Sequence, residues 1–177
     1  LPSRKQTDIM QYLLSFKNRK EVQYIVMDMN TVYRDIAKEF FPNATLVIDK
    51  FHVVRYVTWA LENVRKRIQK QMHPSKRKYF KRSRKLLLTH QSKLNEEGLL
   101  ALEIMLQQSE DLAVAYHLKE LFYEFMNSKD RQKATKALQH FLLAAQASNL
   151  SEFKPCLTML ANWSRYILNA FDCPYSN

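Results

Sequence analysis

A chain of 177 residues with a single glycine, Gly98, has few ways to fold. Tight hairpins and left-handed turns consume glycine, so a sheet-rich architecture is excluded and helix is expected to dominate. The 46% hydrophobic content is enough for a sizeable core and excludes a disordered chain. The length suits one domain, or a small α/β unit joined to a helical one.

Two short apolar runs stand apart from the helical pattern. Val22 to Met27 and Thr45 to Ile48 are rich in β-branched residues and too short for buried helices. Each ends on an aspartate, Asp28 and Asp49. Thr31 to Pro42 between them reads as a helix, with Asn30 or Thr31 as cap and Val32, Ile36 and Phe40 on one face. This is a strand–helix–strand unit, and ligands gather at the carboxyl ends of strands in open α/β sheets. Two strands alone make a marginal sheet. Further strands are therefore expected from sequence upstream. Leu1-Pro-Ser-Arg lacks a methionine and Pro174-Tyr-Ser-Asn177 carries no terminal motif, so both ends read as cuts in a longer protein.

The remainder is helical in pattern. A first helix is expected over 6–16. From Lys50 a long one carries Val53, Val57, Leu61, Val64 and Ile68, until His73-Pro74-Ser75 breaks it. A very basic helix over 76–90 follows, then helices over 99–106, 112–126, 134–147 and 151–171. No repeat period or low-complexity segment is present.

The formal charge of +11 is concentrated in one block. Between Glu62 and Glu96 there is no acidic residue, and there are twelve basic ones: Arg65, Lys66, Arg67, Lys70, Lys76, Arg77, Lys78, Lys81, Arg82, Arg84, Lys85 and Lys93. Unbalanced charges at this density repel one another, so a polyanion partner is expected rather than a merely solvated face. Tyr79 and Phe80 interrupt the block, and Tyr56 and Trp59 precede it. No run approaches the ~18 apolar residues of a membrane span. Cys156 and Cys173 are too few for a disulfide framework and have no metal-ligand spacing; they read as core residues of a reduced, intracellular protein.

Three groups can carry chemistry. Asp28, at a strand end, suits Mg²⁺, which takes hard oxygen ligands on a rigid support; equally, Asp28 or Asn30 can simply cap the next helix. In Asp49-Lys-Phe-His52, Asp49 capping the long helix places His52 one turn on, facing the same way. That pair can bind metal, brace a site, or be a cap beside a buried histidine. The basic block can hold nucleic-acid phosphates without reading sequence. With one glycine there is no phosphate-binding loop, and no serine sits in a nucleophile elbow.

Val22-Gln-Tyr-Ile-Val-Met-Asp-Met-Asn, Tyr33, Phe40-Phe-Pro-Asn-Ala and Val47-Ile-Asp-Lys-Phe-His-Val-Val resemble bacterial insertion-sequence transposases of the ISL-three family. Leu1-Pro-Ser-Arg and the Trp163 helix with Pro174-Tyr-Ser-Asn are similar to that family's flanking segments. The resemblance implies a truncated ribonuclease-H-like α/β core, residues 1–58, with a helical basic insertion at 59–150 and a returning helix at 151–177. It implies three catalytic acids of a Mg²⁺- (or Mn²⁺-) dependent enzyme that cleaves and joins DNA strands. Asp28 would be the second acid and a metal ligand. Asp49 and His52 match an Asp-x-x-His signature and would be accessory, or Asp49 would itself be the second acid. DNA contacts fall to Arg65, Lys66, Arg67, Lys70, Lys76, Arg77, Lys78, Lys81, Arg82, Arg84 and Lys85.

The first aspartate is expected upstream of Leu1 and the last glutamate past Asn177. One acid of three is not expected to hold metal or cut DNA alone. The implied partners are transposon ends, target DNA and further copies of the protein, in the bacterial cytoplasm near the nucleoid, with no membrane. The alternatives are a non-catalytic helical module that binds DNA or protein, and a purely structural bundle.

Overall fold

The computed structural model describes residues 5–82 and 84–175, with the side chains of Tyr79 and Arg82 outside the description. The Leu1-Pro-Ser-Arg motif, the last two residues and the proposed Arg82 contact thus lie beyond what is described. The chain is mostly helical with one small parallel sheet. It divides into two compact units, Leu1–Val53 with Trp163–Asn177, and Val54–Asn162. The division falls inside two helices, at 53/54 and 162/163, rather than at 58/59 and 150/151.

The first unit opens with α1 (Gln6–Leu14), which buries none of its residues. Strand β1 (Tyr24–Met27) begins two residues later than the apolar run suggests, because Arg19–Glu21 forms a 3₁₀ turn before it. Helix α2 (Thr31–Phe40) follows and stops ahead of Pro42, which cannot supply a helical N–H. Asn30 caps it: the N–H groups of Val32 and Tyr33 donate to its Oδ1 at 2.9 and 3.3 Å. Ile36, Ala37 and Phe40 are the buried face of α2, as i, i+4 spacing requires.

Strand β2 (Thr45–Ile48) pairs with β1 in parallel, Tyr24 opposite Thr45 through Met27 opposite Ile48. Among the described residues the sheet has two strands. Leu46, Val47 and Ile48 are buried, whereas Val26 is exposed. Val47 packs with Ala170, Cys173 and Tyr24. Asn169 donates its Nδ2 to the Leu46 carbonyl at 2.8 Å, fastening the 3₁₀ turn Asn169–Phe171 to the sheet. Tyr175 meets Tyr24 edge to face at 6.1 Å.

Helix α3 (Lys50–Gln71) starts in the first unit and continues into the second, where α4 (Pro74–Arg82), α5 (Arg84–Leu88), α6 (Glu96–Leu106), α7 (Glu110–Met126) and α8 (Arg131–Ala147) follow. Helix α9 (Lys154–Leu168) carries the chain back into the first unit. Pro74 opens α4 rather than only breaking what precedes it, since its missing N–H is unneeded in a first turn. The expected basic helix over 76–90 is described as α4 and α5, on either side of position 83. Gly98 lies in the first turn of α6, where its N–H donates to the Asn95 cap at 2.9 Å. Phe122 of α7 anchors the second core, meeting Phe125 and Phe141 edge to face at 5.6 and 5.1 Å. Val57, Leu61 and Val64 of α3 are fully buried.

Candidate functional site

Parallel pairing fixes the geometry of the acidic edge. The Asp49 N–H donates to the Met27 carbonyl at 2.9 Å, which extends the ladder one step past the strands. The next positions in register are Asp28 and Asp49, side by side at the carboxyl edge. Neighbouring strands run about 4.8 Å apart, so the two acids start from adjacent backbones.

The two carboxylates are used differently. Asn30 fills the capping role at α2, and Asp28 is exposed, with no side-chain hydrogen bond among the described residues. Asp49 caps α3: its Oδ1 accepts the Phe51 N–H at 2.9 Å. Its Oδ2 lies 3.9 Å from His52 Nε2, a contact that becomes an ion pair only when the imidazole is protonated. His52 meets Phe51 edge to face at 5.7 Å, and Lys50 Nζ stands 4.8 Å from the Phe171 ring centre. Asp28, Asp49 and His52 therefore belong to one edge of the first unit. The carboxylate oxygens of Asp28 and Asp49 are hard ligands of the kind that suit Mg²⁺ or Mn²⁺. Among the described residues, however, no three His, Cys, Asp or Glu side chains converge to hold a metal ion by themselves.

The basic block resolves into distinct roles. Arg65 is only 4% exposed. It donates Nε and Nη2 to Glu62 at 2.9 and 3.2 Å, and Nη1 to Gln69 at 2.9 Å. This corrects the expected DNA contact at Arg65, because a guanidinium clamped inside the fold cannot reach a phosphate. Arg84 shares Glu62 at 2.8 Å from outside. Arg67 binds Glu152 at 2.6 Å and Asp111 at 2.9 Å, and these partners, Glu152 foremost, raise its pKa above the usual arginine value. Arg77 caps the end of α3, donating to the Met72 and Lys70 carbonyls at 2.8 and 2.7 Å. Lys66, Lys70, Lys76, Lys78, Lys81 and Lys85 are exposed and have no carboxylate partner among the described residues.

A shallow cleft of about 430 Å³ in the second unit is lined by Asn63, Lys66, Arg67, Gln69, Lys70 and Arg77. A larger hollow of about 1160 Å³ is lined by leucines, Tyr116 and the side chains of His90, Glu103, His117, Glu120 and Glu124, with no lysine or arginine among its lining residues. Near it Lys119 is fully buried, donating to the Thr89 carbonyl at 2.7 Å, pairing with Glu120 and facing the Tyr116 ring at 3.9 Å. Burial lowers its pKa against the opposing pull of Glu120. Neither this lysine nor the buried Glu62–Arg65 pair was among the expected features. Both lie in helical phase with apolar neighbours: Arg65 with Leu61 and Ile68, Lys119 with Ala115 and Phe122. Among the described residues no helix is long and apolar enough to cross a membrane.

A family model described as Transposase, of the DDE type named ISL3 (ISL-three), matches residues 1–177. The transposase of insertion sequence element IS1001 from Bordetella parapertussis is 25% identical over 152 residues. That alignment takes in 84% of this chain but 37% of the relative, so the chain spans little more than a third of that protein's length. No solved structure matches. The match along its whole length establishes that the chain belongs to the ISL3 family of transposases.

Proposed function

We propose that this chain forms part of the catalytic region of a DNA transposase, with Asp28 as one acid of a divalent-metal site. The observation that carries the reading is the register at the sheet's carboxyl edge, where Asp28 and Asp49 are adjacent and only Asp28 is free of capping. A strand–helix–strand unit with an acid at each strand end is what a ribonuclease-H-like core would contribute. On this reading the first turns of α3 belong to that core, residues 59–150 are a helical insertion between its parts, and several copies assemble on transposon ends and target DNA.

Mg²⁺ or Mn²⁺, when bound, would supply Lewis acidity at the scissile phosphate. Asp28 would contribute a hard oxygen ligand. The remaining ligands would come from outside the described residues and from the DNA itself. Asp49 would hold the start of α3 in place and keep His52 against the same edge. The exposed lysines of α3 to α5 would hold the phosphate backbone.

The test is transposition by a protein containing this chain, comparing Asp28→Asn with Asp49→Asn. Asp28→Asn should abolish strand cleavage while leaving DNA binding intact, and Asp49→Asn should reduce activity only in part. Full cleavage by the Asp28→Asn protein would sink the assignment.

A further inference from the structure

We propose that the exposed face of α3 around Trp59 is a stacking platform for unpaired DNA bases, with their phosphates held further along the same helix. The proposal deepens the DNA-binding reading and rests on it.

Trp59 is 51% exposed, and much of its indole ring is presented to solvent. The Arg55 guanidinium carbon lies 4.5 Å from its centroid, and the Tyr56 ring is at 6.1 Å. Arg55 orders the indole and itself offers a planar, cationic surface. At about 100° per residue, Arg55, Trp59, Asn63, Lys66 and Lys70 share an arc of about 80° on the helix. All five are exposed. The rise per residue sets Lys66 about 10 Å and Lys70 about 16 Å beyond Trp59, a length that a few nucleotides span.

The far end of this face is the cleft containing Lys66 and Lys70. Two of its other members are already committed. Arg67 is held by Glu152 and Asp111, and Arg77 by backbone carbonyls. They form fixed walls, whereas the charges of Lys66 and Lys70 have no carboxylate partner among the described residues. The charged groups along the exposed arc are all positive: Arg55, Lys66 and Lys70. A flat aromatic followed by uncompensated cations is the arrangement that binds single strands, by stacking on bases and pairing with phosphates. A duplex keeps its bases stacked inward and can use only the lysines. Strand cleavage and joining pass through DNA with unpaired ends, which would supply such bases.

The test measures fluorescence anisotropy of a labelled single-stranded oligonucleotide and of the matching blunt duplex, at fixed salt, with the full chain. Trp59→Ala should weaken single-strand binding about tenfold and duplex binding less than about twofold. Trp59→Phe should retain most single-strand affinity, and Trp59→Leu should behave as alanine does. Lys66→Ala with Lys70→Ala should weaken both substrates. Unchanged single-strand affinity in Trp59→Ala, equal losses on both substrates, or full affinity in Trp59→Leu would each overturn the platform. If the lysine variant still weakens both substrates, the DNA-binding reading survives that failure. A parent chain that binds neither substrate at low salt would end both readings.

Discussion

Asp49 donates its backbone N–H to the Met27 carbonyl and accepts the Phe51 N–H on its side chain, both at 2.9 Å. One residue thus ends a strand and begins a helix, and the same bond sets Asp28 beside it. The two acids should separate in stability measurements. Asp49→Ala removes a helix cap and should cost about 1 kcal/mol. Asp28→Asn removes no hydrogen bond seen in the fold and should change stability by less than about 0.5 kcal/mol. Urea denaturation of the two variants checks this. Equal losses would mean that Asp28 has a structural role after all.

Arg65 and Lys66 are adjacent in sequence, yet Arg65 is buried against Glu62 and Lys66 is exposed. Arg65→Ala leaves Glu62 buried with only the outer Arg84 as partner, and should destabilise the chain by about 3 kcal/mol. Lys66→Ala should leave stability almost unchanged and weaken DNA binding. The pair of measurements is a denaturation midpoint and a DNA titration. An Arg65 variant that is stable but deficient in DNA binding would contradict the buried-pair account.

The contrast marks what could be read from the sequence. Both strands and the strand-end acids followed from β-branched runs and length, whereas the sequence leaves the α2 cap open among Asp28, Asn30 and Thr31, and it is the fold that shows Asn30 accepting the Val32 and Tyr33 N–H groups. The division of labour inside the basic block did not follow from counting charge along the chain. A run of lysines and arginines names a charge density, but helical phase decides which side chains meet water. Arg65 and Lys119 each stand one turn from apolar residues, and projecting the sequence onto a helix would have flagged them. The pairing of β1 with β2, which makes neighbours of Asp28 and Asp49, needed the fold. Nothing local in either strand specifies which strand lies beside it.

Cys156 is buried, and desolvation pushes its thiol pKa up to about 12. In the unfolded chain the thiol ionises near 8.5, so above that pH the unfolded state binds fewer protons than the native one. Stability from this group is fully present below the unfolded value and is lost as pH rises toward about 12. The expected slope is roughly 1 kcal/mol per pH unit within that window. The stability difference between the parent chain and Cys156→Ala, followed across alkaline pH, should carry that slope. A constant difference would show that the thiol titrates alike in both states. At neutral pH, alkylation of Cys156 should proceed only as fast as the fold opens.

Salt dependence should separate the lysines proposed to hold DNA from the arginines that hold the fold. Each phosphate neutralised in a duplex contributes about 0.9 to the slope of log affinity against log salt. Lys66, Lys70, Lys78 and Lys81 are exposed and have no carboxylate partners among the described residues, so they are free to displace counterions. Replacing all four with alanine should flatten the slope by up to about 3.6, with little effect on thermal stability. Arg67→Ala should instead lower thermal stability, because it breaks the links to Glu152 and Asp111, and should alter the salt slope by less than one phosphate's worth. Affinity titrations of a duplex at several salt concentrations, with a thermal melt of each variant, provide both readouts. A four-lysine variant with the parent's slope would place the DNA surface elsewhere on the chain, and an Arg67 variant with a flattened slope would return that residue to the phosphate-binding set.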